Sequence, residues 1–189
     1  MHTYQADQAK IEANLEDYAF TVRAALELYK STGDTSYLEK ANQLNKIVIK
    51  KFETSENPFF TFTEHPVLFS QIISVDDNVI PSANAIMAEN LWKLGQLFEN
   101  EDYTIKAKKM LDAVVPFFDE GRGKDYSQWA QLLAKEVFSY KEVVIVGPEA
   151  QKINKQIQQN YFPNVLFQIS EKESDLPLLA DRYFEDETL

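Results

Sequence analysis

Residues 11–48 read IEANLEDYAFTVRAALELYKSTGDTSYLEKANQLNKIV, and the spacing of apolar side chains in this stretch decides the fold. From Ile11 to about Ser31, Ile11, Leu15, Tyr18, Ala19, Val22, Leu26 and Tyr29 recur at three- and four-residue intervals, the mark of a helix with one buried face. Thr32-Gly33-Asp34 then breaks the pattern. Glycine suits a left-handed C-terminal cap, and Asp34 suits the N-cap of a following helix. That second helix carries Tyr37, Leu38, Ala41, Leu44, Ile47 and Val48. Two helices across so short a turn form an antiparallel α/α hairpin.

The same design returns 66 residues on: Leu28, Tyr37, Lys40 and Ala41 match Leu94, Tyr103, Lys106 and Ala107, and Asp34 corresponds to Asn100. The repeat's first helix starts near Pro81-Ser82, a pair suited to a helix N-terminus, and runs through Ile86, Met87, Leu91, Leu94 and Phe98. Its second helix holds Tyr103, Ile105, Ala107, Met110, Leu111 and Val114. A recurring hairpin implies a toroid or solenoid, because one pair leaves apolar surface that neighbours must cover. A four-helix bundle is the alternative.

Between the hairpins, Phe52 to Ile80 includes Pro58-Phe59-Phe60-Thr61-Phe62-Thr63 and Pro66-Val67-Leu68-Phe69, which alternate like short strands. So long an aromatic-rich connection is expected to pack over something or to shape a pocket. Downstream, Ser127 to Tyr140 reads as a fifth helix. Glu142 to Val146 reads as a buried strand, followed by a polar helix to about Asn160 and a second strand at Val165 to Ile169, a β-α-β unit. The expected organisation is hairpins over 1–140, a β-α-β appendage over 141–170 and a loosely held acidic tail over 171–189.

With 189 residues, 44% of them hydrophobic and only five glycines, the chain can bury a substantial core. A formal charge of −11 disfavours phosphate backbones and anionic lipid, so nucleic acid and membrane are not expected partners. No cysteine is present, which removes disulfides, thiolate nucleophiles and cysteine-held metals from this chain. No apolar run is long enough to span a bilayer, and MHTYQADQAK has no signal-peptide pattern. A cytoplasmic location is the expectation.

Four motifs stand in a fixed order: Leu15-Glu16-Asp17-Tyr18-Ala19-Phe20; Thr32-Gly33-Asp34 with Tyr37-Leu38; Asp77-Asn78-Val79-Ile80-Pro81-Ser82-Ala83-Asn84-Ala85; and Glu142-Val143-Val144-Ile145-Val146-Gly147. Across roughly residues 8 to 170 the chain resembles the C-terminal third of the spermatogenesis-associated protein 20 family, thioredoxin-domain-containing proteins with a DUF255 region. The resemblance implies a mainly α fold, a partial α/α toroid of stacked hairpins similar to that of N-acylglucosamine 2-epimerases and six-hairpin glycosidases. It also implies a thioredoxin-like domain ahead of the toroid. A closed ring of six hairpins needs about twelve helices, whereas this sequence shows five or six. The chain is therefore expected either to be a piece of a longer protein or to close differently.

On the toroid reading, Asp17 and Asp77 lie near equivalent ends of the inner helices and are the candidate catalytic pair. Two carboxylates facing one cavity suit sugar chemistry, one protonated to assist the leaving group and the other ionised. The alternatives are a helix-end charge for Asp17 and a turn-forming role for Asp77. Ser82 and Asn84 are candidates to hydrogen-bond a polyol, and Tyr18 and Phe60 to stack on a sugar ring, with helix capping and core filling as the other readings. Epimerases of the similar fold use histidine for proton transfer; His2 and His65 lie in no matching motif, which disfavours epimerisation. No metal-ligand spacing occurs, and neither metal nor cofactor is expected. Gly147 follows a strand and precedes a helix, but Pro148 removes a donor and no second glycine or lysine follows, so phosphate is not expected there.

Two functions follow from these expectations. One is a carbohydrate-directed pocket, glycosidase- or epimerase-like, for a sugar or other small polar ligand. The other is a non-catalytic helical scaffold serving the thioredoxin-like domain. Hairpin faces left uncovered would also favour self-association.

Overall fold

The computed structural model describes residues 2–5, 7–65, 71–119 and 121–189. A short antiparallel pair, β1 (Thr3–Gln5) and β2 (Gln8–Lys10), precedes the helices. Helices α1 (Leu15–Thr32) and α2 (Thr35–Phe52) form the first hairpin, and α3 (Ala83–Leu97) and α4 (Glu101–Asp119) the second. After a single 3-10 turn come α5 (Ser127–Val137), β3 (Lys141–Val146), α6 (Ala150–Ile157) and β4 (Val165–Ser170). The chain is mainly helical, with a parallel two-stranded sheet in which Lys141 pairs with Val165 and Val146 with Ser170. Among the described residues no helix is long and apolar enough to cross a membrane.

The first hairpin turns as its residues dictate. Gly33 sits at φ 68°, donating its N–H to the Tyr29 carbonyl, and Asp34 caps α2 by accepting from the Ser36 N–H. α1 starts four residues later than its apolar spacing predicts. Asn14 and Asp17 form a reciprocal capping box, which satisfies two helix-end donors and fixes the start. Ile11 instead lies outside the helix at φ 61°, largely exposed.

One core runs through α1 to α5, with Tyr29, Phe52, Phe60, Leu91, Met110 and Trp129 all below 2% exposure. The connection between hairpins is not a pair of strands where it is described. Phe59, Phe60 and Thr61 are consecutive and all buried, which a strand with one solvated face does not permit. Its backbone bonds to helix ends instead: Thr61 N–H to the Phe52 carbonyl, Leu15 N–H to the Phe62 carbonyl, and Phe62 N–H to the Ile72 carbonyl. The expected strand at Pro66 to Phe69 lies outside the described residues.

This connection also sets helix direction. Phe62 bonds Leu15 at the start of α1, and Phe60 bonds Asn84 at the start of α3. At the other end Thr32, Gly33 and Phe98 line one cleft. α1 and α3 therefore run the same way, side by side. α5 follows them, its first residues bonded to Asp77 before α3 and Tyr140 beyond its end bonded to Gln96 late in α3.

A second, smaller core of Ile145, Ala150, Phe167 and Ile169 belongs to the β-α-β unit. It is docked on the end of α1 by Asn154, whose amide donates to the Lys30 and Ser31 carbonyls. The acidic tail is held more firmly than its composition suggests. Leu179 is fully buried, and Leu189 exchanges two backbone hydrogen bonds with Val146, a pairing that covers one edge of β3.

Candidate functional site

The six side chains singled out by sequence all take positions at helix ends or in the core. Asp17 accepts from the Asn14 N–H at 2.9 Å, and its carboxylate meets His2 Nδ1 at 2.9 and 3.0 Å. Asp77 accepts from the Ser82 N–H at 2.9 Å through one oxygen. Through the other it accepts from the Gln128 N–H at 2.8 Å and the Ser127 hydroxyl at 3.1 Å. Asp77 spends its lone pairs on two helix starts and Asp17 divides its own between a helix start and His2, the turn and helix-end roles that the sequence also allowed. Ser82 is the N-cap of α3.

Asn84 is buried and pins the connecting segment, accepting from the Phe60 N–H and donating to the Phe60 and Ser74 carbonyls. Phe60 is fully buried, with the Lys106 ammonium 5.0 Å from its ring centre. Tyr18 is half-buried, edge-on to Phe52 at 5.6 Å. The structure thus joins Asp77 with Ser82 and Asn84 with Phe60. Among the described residues, no hydrogen bond or ring contact links Asp17 or Tyr18 to those four. None of the six lines either of the two clefts described next.

The wider cleft, about 850 Å³, lies between the α1–α2 turn and the segment after β4; Asp34, Glu39, Glu171, Glu173 and Asp175 give it an acidic wall. The smaller, about 160 Å³, opens over the middle of α3 and is lined by Lys30, Glu89, Trp92, Lys93, Lys135 and Tyr140, with residues 161–166 across it.

Beneath this smaller cleft three helices bring charged groups together. Arg23 and Glu27 are four apart on α1, Glu89 and Lys93 four apart on α3, and Gln128 and Lys135 seven apart on α5, so each pair shares a helix face. Glu89 is 5% exposed. It receives a hydrogen bond from the Gln128 amide at 2.8 Å and lies 3.3 Å from Lys135 and 3.5 Å from Lys93. Lys93 also donates to Glu27 at 2.8 Å, and Arg23 donates to Gln128 at 3.4 Å.

Burial by itself would push Glu89 up, but the charges of Lys93, Lys135 and Arg23 outweigh it and hold the carboxyl below its ordinary range. Glu27 is lowered in the same way by Lys93 and Lys30. For Lys93, burial favours the neutral amine, yet Glu89 and Glu27 prevail and its pKa is raised. At neutral pH Glu27, Glu89 and Lys93 are therefore charged, suited to orient and neutralise a ligand and not to donate a proton from these carboxyls.

A sequence signal for this cluster existed. Helix α3 reads ANAIMAENLWKLGQL and is buried on nearly every side. Glu89, Asn90 and Lys93 therefore have no solvated face to occupy, and a charge in an all-round apolar helix points to a partnered interior site.

The turn after β3 holds no such site. Gly147 lies at φ 132°, where a side chain would collide with the Glu187 carbonyl. The Glu149 N–H at the start of α6 is taken by the Thr188 hydroxyl at 3.0 Å.

No protein-family model matches the chain. It is similar to spermatogenesis-associated protein 20 of Rattus norvegicus, 31% identical over 79% of this chain, and to that of Homo sapiens, 29% identical over the same share. Each match covers 20% of the relative. It is also 34% identical, over 53% of its length, to an uncharacterized protein of Caenorhabditis elegans, of which the match covers 14%. The chain thus spans a fifth or less of the curated relatives it matches.

Proposed function

From its homology to spermatogenesis-associated protein 20, which supports that family, we propose that the chain is part of a ring of α/α hairpins. In this reading the inner helices α1, α3 and α5 carry a pocket for a carbohydrate or another small polar ligand. The observation that carries it is the meeting of Arg23, Glu27, Glu89, Lys93, Gln128 and Lys135 from three same-directed helices under one small cleft. Buried charge is costly to assemble, and a fold seeking only stability does better with apolar packing at such a place. Trp92 and Tyr140, edge-on at 4.8 Å, add aromatic surface beside the charges.

The pocket proposed here lies along the inner helix faces and not at Asp17 and Asp77. With Glu27 and Glu89 both held ionised, its residues suit recognition and orientation better than acid catalysis by either carboxyl. The test is calorimetric titration of the folded chain with a panel of monosaccharides, disaccharides and polyols. Saturable binding is expected, weakened roughly tenfold for these neutral ligands in Glu89→Gln, which removes one charge-assisted contact to a ligand hydroxyl, and unchanged in Asp17→Asn. A panel with no binder would overturn the reading.

The scaffold reading draws on one observation. Val137 and Phe138, at the end of α5, are 65% and 64% exposed, a small apolar face of the kind a partner domain or a second copy covers. Co-elution with the thioredoxin-like domain of the family, abolished by Phe138→Asp, would favour it.

A further inference from the structure

We infer that the small cleft over α3 takes a ring-bearing anion, of the class of sugar acids and sugar phosphates; this rests on the pocket reading above and specifies its ligand. The first argument is charge. The lining sets Lys30, Lys93 and Lys135 against the single carboxylate of Glu89. Counting the groups behind it, Arg23 adds a cation and Glu27 a carboxylate, leaving four positive charges against two. This surplus sits in a chain whose formal charge is −11.

Further acids lie at the edge. Glu142 reaches the Tyr140 hydroxyl at 3.5 Å, and Glu136 also acts on Tyr140, but neither lines the cleft. Lys93 and Lys135 are only 16% and 17% exposed, so water solvates them poorly. Arg23 forms no ion pair among the described residues; its one side-chain hydrogen bond is to Gln128. Half-buried cations in excess of their partners are stabilised by an incoming anion.

The second argument is shape. Tyr161, 90% exposed, and Phe162, 44% exposed, stand in the segment across the opening, where aromatic faces are available to a ring. A space of about 160 Å³ admits an anionic group with part of a ring and is too small for a polymer.

The experiment is isothermal titration of the chain with glucose, glucuronate, glucose 6-phosphate and inorganic phosphate at low and moderate salt. At low salt one or both anionic sugars should bind at least roughly tenfold more tightly than glucose, a preference that salt diminishes. Lys135→Gln should erase most of that preference, whereas Tyr161→Ala should weaken all three sugars alike. The two anionic sugars separate carboxylate from phosphate as the recognised group. If glucose binds as tightly as both, the anion inference fails and the pocket stands. If inorganic phosphate matches the sugar phosphate, the ring requirement fails. If nothing binds while circular dichroism shows an intact fold, both readings fail together.

Discussion

Asp77 holds the starts of α3 and α5 with three hydrogen bonds, so that one carboxylate ties two helix N-termini together. Removing its carboxylate strands two backbone donors at once. Asp77→Ala is therefore expected to cost about 2 to 3 kcal/mol, against about 1 kcal/mol for Asp17→Ala, whose capping box joins only one helix to its own first turn. Urea denaturation measures both; equal losses would show that Asp77 bridges nothing. Sequence could pick out these residues but not assign their role, because a carboxylate just before a helix looks the same whether it caps backbone or faces a cavity. Glu89 was not singled out from the sequence, although as a charge with no solvated face in an apolar helix it was detectable. Its partners Lys135 and Gln128, some 40 residues on, were not.

At the scale of elements, the hairpin turn is written in Thr32-Gly33-Asp34, and the cap geometry follows it. An added Cβ at Gly33 would be strained at φ 68° and would stand 3.1 Å from Ile169 Cγ2. Gly33→Ala should thus cost about 1 to 2 kcal/mol. It should also loosen the β-α-β unit, whose strand β4 ends against this turn. Faster amide exchange in β4 than in α4 would register that loosening, and uniform exchange would count against it. Element type was readable wherever periodicity had a single meaning. It misled at Pro58 to Thr63, where alternating aromatics suggested strands but long-range packing buries successive residues.

Across the whole molecule, buried ionisable groups couple the fold to pH. Glu27 and Glu89 are held below 4.5, so their contribution is full above that pH and fades as pH falls further. Lys93 is raised above 10.5, so its share persists below that pH and is lost as pH climbs past it. Tyr29 is pushed from 10.0 up to about 12, chiefly by burial against a weaker opposing contact with the Ile169 backbone. Its hydroxyl makes no hydrogen bond of good geometry. Raising pH from 10 to 12 ionises it more readily in the unfolded chain, which removes roughly 2 to 3 kcal/mol. Tyr29→Phe should be nearly neutral at pH 7 and should flatten the alkaline fall in melting temperature; an unchanged fall would assign it to Lys93 instead. The sequence by itself determined the hairpins, the caps at Gly33, Asp34 and Ser82, and the β-α-β unit, because periodicity and turn chemistry act over a few residues. Only the tertiary structure decided which charges meet, because Arg23, Glu89 and Lys135 lie on three separate helices and come together through the packing of apolar faces, which leaves no mark in the spacing of the charges themselves.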